Sequence, residues 1–324
     1  MKKHDYVLLP NTKLRVSRLC FGGCPMGGYG WGKSKEEDFI EAVNEALDNG
    51  INFFDTADIY GLGQSELTLG KALGNRRHEA VIATKFGCRR KNGKTFYDNS
   101  PEWIREALTQ SLERLGTEYI DLYQMHYRDG VTPISLVVDT LESLKKEGKI
   151  RAYGLCNLTE NDLEEIEEFQ NRFSTLQDEY SLATRKNESI LNTYRDKFGI
   201  MPLTWGSLGQ GILTGTIDET TVFDEGDRRL RPEYVNFHGE KFKHNLKIVD
   251  TLRILAKKYN KSVAAVAIRY ILDNIKDSVV LVGIMNKQEL LANIESLGWH
   301  LTSEDLKLLN CISEWDYKNN CSIN

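Results

Sequence analysis

The sequence predicts an α/β protein, and specifically a (β/α)8 barrel, from three observations. Short apolar runs rich in β-branched and aromatic residues alternate with amphipathic stretches of helical period, the order expected of a parallel sheet covered by helices. Eight such runs occur, and eight strands fit a closed barrel better than an open sheet. The 324 residues contain no repeat, low-complexity segment or linker. We therefore expect residues 1–324 to form one barrel domain.

The predicted strands are short and mostly apolar, as strands buried on both faces are. In chain order they are residues 19–21, 52–55, 81–85, 119–125, 152–155, 175–178, 201–204 and 279–282. A helical pattern follows each strand, so neighbouring strands should run parallel.

The predicted helices carry ordinary start and stop signals, with a Ser or Thr before the first turn and a Gly after the last. The clearest are Ser100 before Pro101, Ser262, Thr302 before an extra C-terminal helix at 303–313, and the stops Gly50 and Gly116.

Three segments lie outside the alternation. Residues 6–17 form two extended runs around a polar turn, which predicts an N-terminal β-hairpin that plugs the barrel's N-terminal end. Residues 88–100 and 206–245 are predicted loops on the face where barrel chemistry takes place. The basic runs at 89–91 and 228–231 are interpreted as solvated parts of these loops.

Charge and cysteine content exclude several classes of protein. The net charge of -5 argues against a nucleic-acid partner, which normally requires a basic surface. The six cysteines form no Cys-x-x-Cys pair, so neither a disulfide framework nor a metal site is expected. We find no apolar signal core and no run long enough to span a membrane. The chain is therefore expected to act in the cytoplasm on a small molecule.

Four titratable side chains follow predicted strands on the barrel's catalytic face. Asp55 ends the second strand and Tyr60 comes five residues later, while Lys85 and His126 end the third and fourth strands. Taken singly, each could be a turn cap, a rim residue, a packing residue or a buried core histidine. Because strand ends on this face meet in one mouth, their joint placement favours a catalytic group.

This set of residue types suits reduction of a carbonyl. The carbonyl oxygen needs a proton once a hydride has reached the carbon, and a tyrosine hydroxyl can supply it. A neighbouring lysine favours the phenolate and should lower the pKa of Tyr60. Asp55 would hold Lys85, and His126 would donate a hydrogen bond to the developing oxyanion.

Three motifs resemble those of the aldo-keto reductases. They are residues 53–66 (FFDTADIYGLGQSE), 81–86 (VIATKF) and 119–126 (YIDLYQMH), and the resemblance extends over nearly the whole chain. It implies a TIM barrel and an NAD(P)-dependent oxidoreductase. In that family the tyrosine is the proton donor or acceptor, the lysine and aspartate tune it, and the histidine positions the carbonyl.

The resemblance also implies where a nicotinamide cofactor binds. The ring would stack on Trp205, its carboxamide would meet Cys156, Asn157 and Gln177, and Cys156 replaces the serine usual in the family. The remaining contacts implied are Gly23, Cys24, Gly206, Ser207, Leu208, Gly211, Gly283, Ile284, Met285, Lys287, Glu289 and Asn293. No Gly-x-Gly-x-x-Gly motif follows the first strand, so a Rossmann site is not expected.

The resemblance leaves the choice of cofactor and substrate open. Family members that use NADPH often carry Lys or Arg near the positions of Met285, Asn286 and Glu289, where this chain offers a cation only at Lys287. Both NADP(H) and NAD(H) are therefore expected candidates. Substrate contacts are expected from Trp31, Tyr127 and Arg128 and from the tail containing Trp315, which suit a sugar or an aryl carbonyl.

Two other functions are compatible with such a barrel. A cofactor-binding regulatory subunit, resembling the accessory subunits of potassium channels, would bind the nucleotide without turnover. A different barrel enzyme, such as a sugar-phosphate isomerase, would need a phosphate site but no Tyr–Lys pair. Presence of all four catalytic residue types favours the oxidoreductase.

Overall fold

The computed structural model describes residues 6–28, 30–32 and 34–316. Eight parallel strands close into a barrel, each pairing with the next in chain order and the last with the first. The barrel strands are β3 (Leu19–Gly22), β4 (Phe53–Asp55), β5 (Val81–Phe86), β8 (Ile120–Met125), β9 (Ile150–Cys156), β10 (Thr175–Glu179), β11 (Met201–Trp205) and β12 (Val279–Gly283). All eight predicted strands are confirmed, and with them the barrel.

Helices surround the barrel in the predicted alternation. They are α1 (Glu36–Asp48), α2 (Gln64–Leu73), α3 (Pro101–Leu115), α4 (Ile134–Lys146), α5 (Leu163–Glu167), α6 (Glu188–Phe198), α7 (Gly239–Tyr259), α8 (Val263–Asn274), α9 (Lys287–Ile294) and α10 (Ser303–Ile312). The Ser100, Ser262 and Thr302 side chains cap α3, α8 and α10 by accepting a backbone N–H of the first turn. The extra C-terminal helix is therefore confirmed as α10. No helix in the described part of the chain is long and apolar enough to cross a membrane.

The N-terminal hairpin closes one end of the barrel, as predicted. Strands β1 (Tyr6–Leu8) and β2 (Arg15–Ser17) pair antiparallel. Leu9, Leu14 and Val16 belong to one buried cluster with side chains of the barrel strands. The Asn52 side chain accepts the Ser17 N–H at 2.8 Å, which ties the hairpin to the start of β4.

Both predicted loops contain regular structure. In the first, β6 (Cys88–Lys91) and β7 (Lys94–Tyr97) form a hairpin around Asn92 and Gly93, whose φ values are 51° and 77°. Asn-Gly is the strongest short hairpin signal because both central residues of the turn need positive φ. In the second, α7 begins at Gly239, inside the predicted loop, and buries Ile248, Leu252 and Leu255 at helical spacing.

Strand register places polar side chains beside one another at the carboxyl end of the barrel. Asp55 pairs with Gly22 on one side and Ala83 on the other, and Lys85 pairs with Gln124. Gln177 pairs with Cys156. Parallel strands that end together present these side chains to one mouth.

Candidate active site

A cavity of about 800 Å³ opens at the carboxyl end of the barrel. Its wall includes Asp55, Tyr60 and His126 at one end and residues of the β12–α9 connection at the other. A cavity of this size accommodates a ligand larger than a small carbonyl compound alone.

Three of the predicted catalytic side chains form one chain of contacts. The Lys85 ammonium donates to Asp55 Oδ1 at 2.5 Å and to the Thr56 carbonyl at 2.9 Å. Its third contact is the Tyr60 hydroxyl oxygen at 3.3 Å. Lys85 is fully buried, so its charge acts on Tyr60 in a medium of low polarity.

Asp55 is held in place from its other side. Its Oδ2 accepts from the Gln177 amide at 2.8 Å and from the Gln124 amide at 3.1 Å. The Gly23 N–H donates to the Asp55 carbonyl at 2.7 Å. A Cβ at Gly23 would lie 2.9 Å from that carbonyl oxygen, so only glycine allows this approach.

Burial dominates the proton affinity of Tyr60. It raises the pKa of the phenol above the ordinary value, while the charge of Lys85 acts in the opposite direction without cancelling it. The charge of Lys85 does lower the pKa of Tyr60, as expected. The expectation that the pKa of Tyr60 is lowered overall is wrong, because burial raises it by more. Tyr60 is a neutral phenol, and thus a proton donor, at physiological pH.

Lys85 and His126 hold opposite charge states. Burial alone would lower the pKa of Lys85, but the charge and hydrogen bond of Asp55, together with the neighbouring Tyr60 and Cys156, outweigh burial and raise it. Burial and the charge of Lys85 lower the pKa of His126 well below its ordinary value. Lys85 is consequently a cation and His126 a neutral imidazole.

His126 lies edge-on to Tyr60, with ring centroids 5.8 Å apart at 84°. The His126 ring also stacks on the ring of Tyr127, which in turn stacks on Tyr97 of β7. Its Nδ1 atom is buried and finds no hydrogen-bond partner among the described residues. This imidazole therefore has hydrogen-bonding capacity left for a bound molecule.

Trp205 is oriented by Asn157 beside the catalytic group. The indole N–H donates to Asn157 Oδ1, and the Asn157 amide donates to the His126 carbonyl, each at 3.0 Å. Asn157 adopts a positive φ of 53°, a conformation that asparagine tolerates better than most residues. The tryptophan ring is thus fixed before any ligand binds.

Most of the predicted contacts lie on the cavity wall. These are Cys24, Trp31, Asp55, Tyr60, His126, Tyr127, Asn157, Gln177, Trp205, Gly206, Ser207, Leu208, Gly211, Gly283, Met285, Glu289 and Asn293. Lys85 lies directly behind this wall through its contacts with Asp55 and Tyr60.

Other predicted contacts lie elsewhere. Gly23 packs against Asp55, and the Cys156 and Ile284 side chains are fully buried in the barrel and core. Arg128 is paired with Glu165 at 2.5 Å. Lys287 is paired with Glu45 of α1 at 2.8 Å.

Trp315 packs on α7 beside His244, at a centroid distance of 5.0 Å, and is not part of the cavity wall.

The structure adds wall residues that the sequence did not reveal. Arg228 and Arg229, interpreted as solvated, both line the cavity. The Arg228 N–H donates to the Gly30 carbonyl at 3.1 Å, and its guanidinium lies 5.5 Å from the centre of the Trp31 ring. Trp31 packs edge-on against Tyr234 at 5.7 Å. No local pattern identifies contacts between segments that are about 200 residues apart.

The wall suits a nicotinamide dinucleotide. Trp205, linked to His126 through Asn157, offers its ring on the wall, and Glu289 offers a carboxylate for ribose hydroxyls at the far end. Glycines line the wall between and beside them, with positive φ at Gly206 and Gly211, so the backbone itself is open to phosphate groups. The residues present therefore fit the cofactor that the motifs imply.

The two sides of the cavity come from different parts of the chain. The predicted catalytic and substrate residues on the wall lie between Cys24 and Tyr127, and Arg228 and Tyr234 join them from the long loop after β11. The wall expected to hold the dinucleotide comes mainly from Asn157 onward.

Comparison with known proteins agrees with this geometry. The model of the Aldo/keto reductase family matches residues 18–314. Aldo-keto reductase YhdN of Bacillus subtilis is 37% identical over 96% of this chain and 94% of its own length. The NADH-specific methylglyoxal reductase of Escherichia coli is 33% identical over 97% of this chain and 99% of its own length.

Comparison with solved structures also indicates this family. The glycerol dehydrogenase AKR11B4 from Gluconobacter oxydans superposes with a TM-score of 0.85 at 34% identity, covering 95% of this chain and 94% of that one. The chain therefore belongs to the aldo/keto reductase family, whose members are NAD(P)-dependent oxidoreductases.

Proposed function

We propose that the protein interconverts a small aldehyde or ketone, including sugar-derived carbonyls, with the corresponding alcohol, and that Tyr60 is the proton donor and acceptor. One observation carries the proposal: the Tyr60 hydroxyl lines the cavity while it contacts a buried Lys85 ammonium that is itself held by Asp55.

The chain's own residues account for the proton transfer. When bound, the nicotinamide supplies or accepts the hydride. The Tyr60 hydroxyl donates its proton to the carbonyl oxygen as negative charge develops there, and Lys85 stabilises the phenolate that remains. Asp55 fixes the position of Lys85, and the neutral His126 ring donates a hydrogen bond that orients the carbonyl. In the direction of alcohol oxidation Tyr60 accepts the proton.

The substrate end of the cavity favours small polar compounds bounded by aromatic surface. Trp31, Tyr127 and Tyr234 line it together with Arg228. Relatives named as a methylglyoxal reductase and a glycerol dehydrogenase act on compounds of this size in the two opposite directions. Methylglyoxal with the reduced cofactor and glycerol with the oxidised cofactor are therefore the first substrates to try.

Tyr60→Phe tests the proposal. We expect turnover to fall by about 10²–10⁴-fold, because the variant lacks only the proton donor. Cofactor binding, followed by quenching of tryptophan fluorescence, should remain close to that of the wild type. The matched control is Tyr234→Phe, which removes a hydroxyl from the same cavity wall and should keep most of the turnover.

Three other results would contradict the proposal, each at a different point. Unchanged turnover in Tyr60→Phe would overturn the assignment of the proton donor. A wild type that binds the dinucleotide tightly but turns over no carbonyl or alcohol would favour the regulatory subunit. A protein that binds neither cofactor at millimolar concentration would leave the oxidoreductase without a basis.

A further inference from the structure

We propose that this enzyme selects NAD(H) over NADP(H), because the far end of its cavity presents the Glu289 carboxylate and the neighbouring Lys287 is held on α1. The inference rests on the proposed function and concerns the opposite end of the same cavity.

The position of the discriminating group follows from the shape of the cavity. Hydride transfer requires the nicotinamide to lie beside Tyr60 and His126. The rest of the dinucleotide must then extend along the wall to its far end, which is lined by Met285, Gln288, Glu289, Ala292 and Asn293. The two cofactors differ by one phosphate on the adenosine ribose, so the charge at this end decides between them.

Glu289 is held on this wall by its neighbours in the β12–α9 connection. Its Oε2 accepts the Met285 N–H at 2.9 Å, and its Oε1 accepts from the Asn286 amide at 3.3 Å. The Asn286 side chain in turn caps α9 by accepting the Glu289 N–H at 3.0 Å. A carboxylate fixed in this way accepts hydrogen bonds from ribose hydroxyls and repels a phosphate.

Lys287 is directed to another partner. Its ammonium lies 2.8 Å from Glu45 Oε2 and 3.8 Å from Glu41 Oε1, both on α1. Lys287 is not part of the cavity wall. To meet a phosphate its side chain would have to leave both carboxylates, which offsets part of the advantage of a new ion pair.

Arg228 and Arg229 are the cations on the cavity wall as far as the described residues go, and both lie on the loop opposite. The Arg229 guanidinium is paired with Asp227 at 2.6 Å, and a Cβ at Gly211 would lie 3.6 Å from its Nη1. An arginine beside the glycine-rich loop is placed to meet the pyrophosphate, which both cofactors share. Such a contact raises both affinities and leaves their ratio unchanged.

Direct binding tests the selectivity without any turnover. Dissociation constants for NADH and NADPH are measured at pH 8 by quenching of tryptophan fluorescence in the purified wild type, Glu289→Gln and Glu45→Gln. We expect NADH to bind at least tenfold more tightly than NADPH in the wild type. Glu289→Gln removes the repulsion and also the carboxylate that accepts from the ribose hydroxyls, so it should bind NADPH several-fold more tightly and NADH more weakly. Glu45→Gln releases Lys287, so it should bind NADPH several-fold more tightly with little change for NADH.

The matched control is Glu36→Gln: Glu36 lies on α1 with Glu45 but forms an exposed ion pair with Lys71 of α2, so the change should leave both constants unchanged. Tighter binding of NADPH than of NADH by the wild type would overturn the inference, as would a ratio that neither Glu289→Gln nor Glu45→Gln alters. If Arg228→Ala lost NADPH binding but kept NADH binding, the inference would also be overturned, because Arg228 on the opposite loop would then be the residue that meets the phosphate. Failure to bind either nucleotide would instead contradict the proposed function.

Discussion

At the scale of single residues, Asp58 is a half-buried residue whose carboxyl group the proposed mechanism does not use. Its Oδ1 atom is buried with no hydrogen-bond partner among the described residues, two positions before Tyr60. Burial, and then the charge of Glu66, raise the pKa of Asp58 to about 8. Glu66 itself stays in place through Arg114 at 2.6 Å. Asp58 is thus mostly protonated at neutral pH.

This pKa makes stability fall as the pH rises. The folded state binds the Asp58 proton more tightly than the unfolded state, in which the pKa is about 3.9. Its stabilising effect is therefore fully present below about pH 4 and is lost by about pH 8. Asp58→Asn removes this dependence. The free energy of unfolding of the variant minus that of the wild type should therefore increase by a few kcal/mol between pH 5 and pH 9.

Urea unfolding of both proteins at pH 5, 7 and 9 measures this difference. Asp250→Asn is the control, because its carboxyl is largely exposed on α7. Parallel pH profiles for wild type and Asp58→Asn would show that Asp58 does not titrate in this range.

Residue identity and strand position were enough to predict that Asp55, Lys85 and His126 lie together, because each lies at or next to the end of a strand. They were not enough to give its proton affinities. The pKa of Tyr60 depends on how deeply the fold buries it, and burial is a sum over contacts that no local pattern contains.

At the scale of elements, two glycines allow the loops after β3 and β4 to touch. A Cβ at Gly27 would lie 2.7 Å from the Gly61 nitrogen and 2.8 Å from the Tyr60 carbonyl carbon. Both of those atoms are backbone, so a side chain at Gly27 must displace the turn that carries Tyr60. The close contact of these loops is therefore part of how the Tyr60 hydroxyl is positioned.

Gly27→Ala should accordingly lower kcat by about tenfold to a hundredfold, since a displacement of about 1 Å can cost that much. Gly28→Ala is the comparison: Gly28 has a φ of +67° but open space around it, so alanine there should cost about 1 kcal/mol of stability and little activity. Steady-state kinetics and urea unfolding of both variants separate the two effects. Wild-type kcat in Gly27→Ala would show that the turn absorbs the extra methyl group.

The elements differ in how far the sequence predicts them. The barrel strands and their helices alternate with a clear period, and all eight barrel strands were predicted. The β6–β7 hairpin was missed although Asn92-Gly93 indicates it, because its basic and polar flanks lack the apolar alternation of a buried strand. The start of α7 was missed because Lys and His residues separate its buried positions.

At the scale of the whole molecule, the two ends of the barrel have different tasks. The hairpin of β1 and β2 closes one end, and the cavity opens at the other. Leu9 is fully buried in the cluster beneath the hairpin. Side chains at this end stabilise the barrel without facing the reacting groups.

Leu9→Ala should therefore destabilise the fold by about 2–4 kcal/mol through lost burial and a residual cavity. Its kcat, measured at a temperature where the variant remains folded, should equal that of the wild type. Thermal or urea unfolding and kinetics on the same preparation check both statements. A large fall in kcat with the fold intact would mean that the two ends are coupled.

The sequence predicted closure of the barrel, because strand number and alternation are read directly from the chain. The path of the long loop after β11 was not predictable in this way. On the cavity wall Arg228 contacts Gly30 and Trp31, which lie about 200 residues away along the chain.

The order of wall residues along the chain bears on how such an enzyme diversifies. The residues proposed to act on the carbonyl are encoded before about position 130, and the wall proposed to hold the dinucleotide is encoded mainly after it. Recombination within the gene between these stretches could exchange the nucleotide-binding wall while leaving the catalytic residues intact. Because Arg228 and Tyr234 of the substrate end lie in the second stretch, substrate range and nucleotide preference would be inherited together.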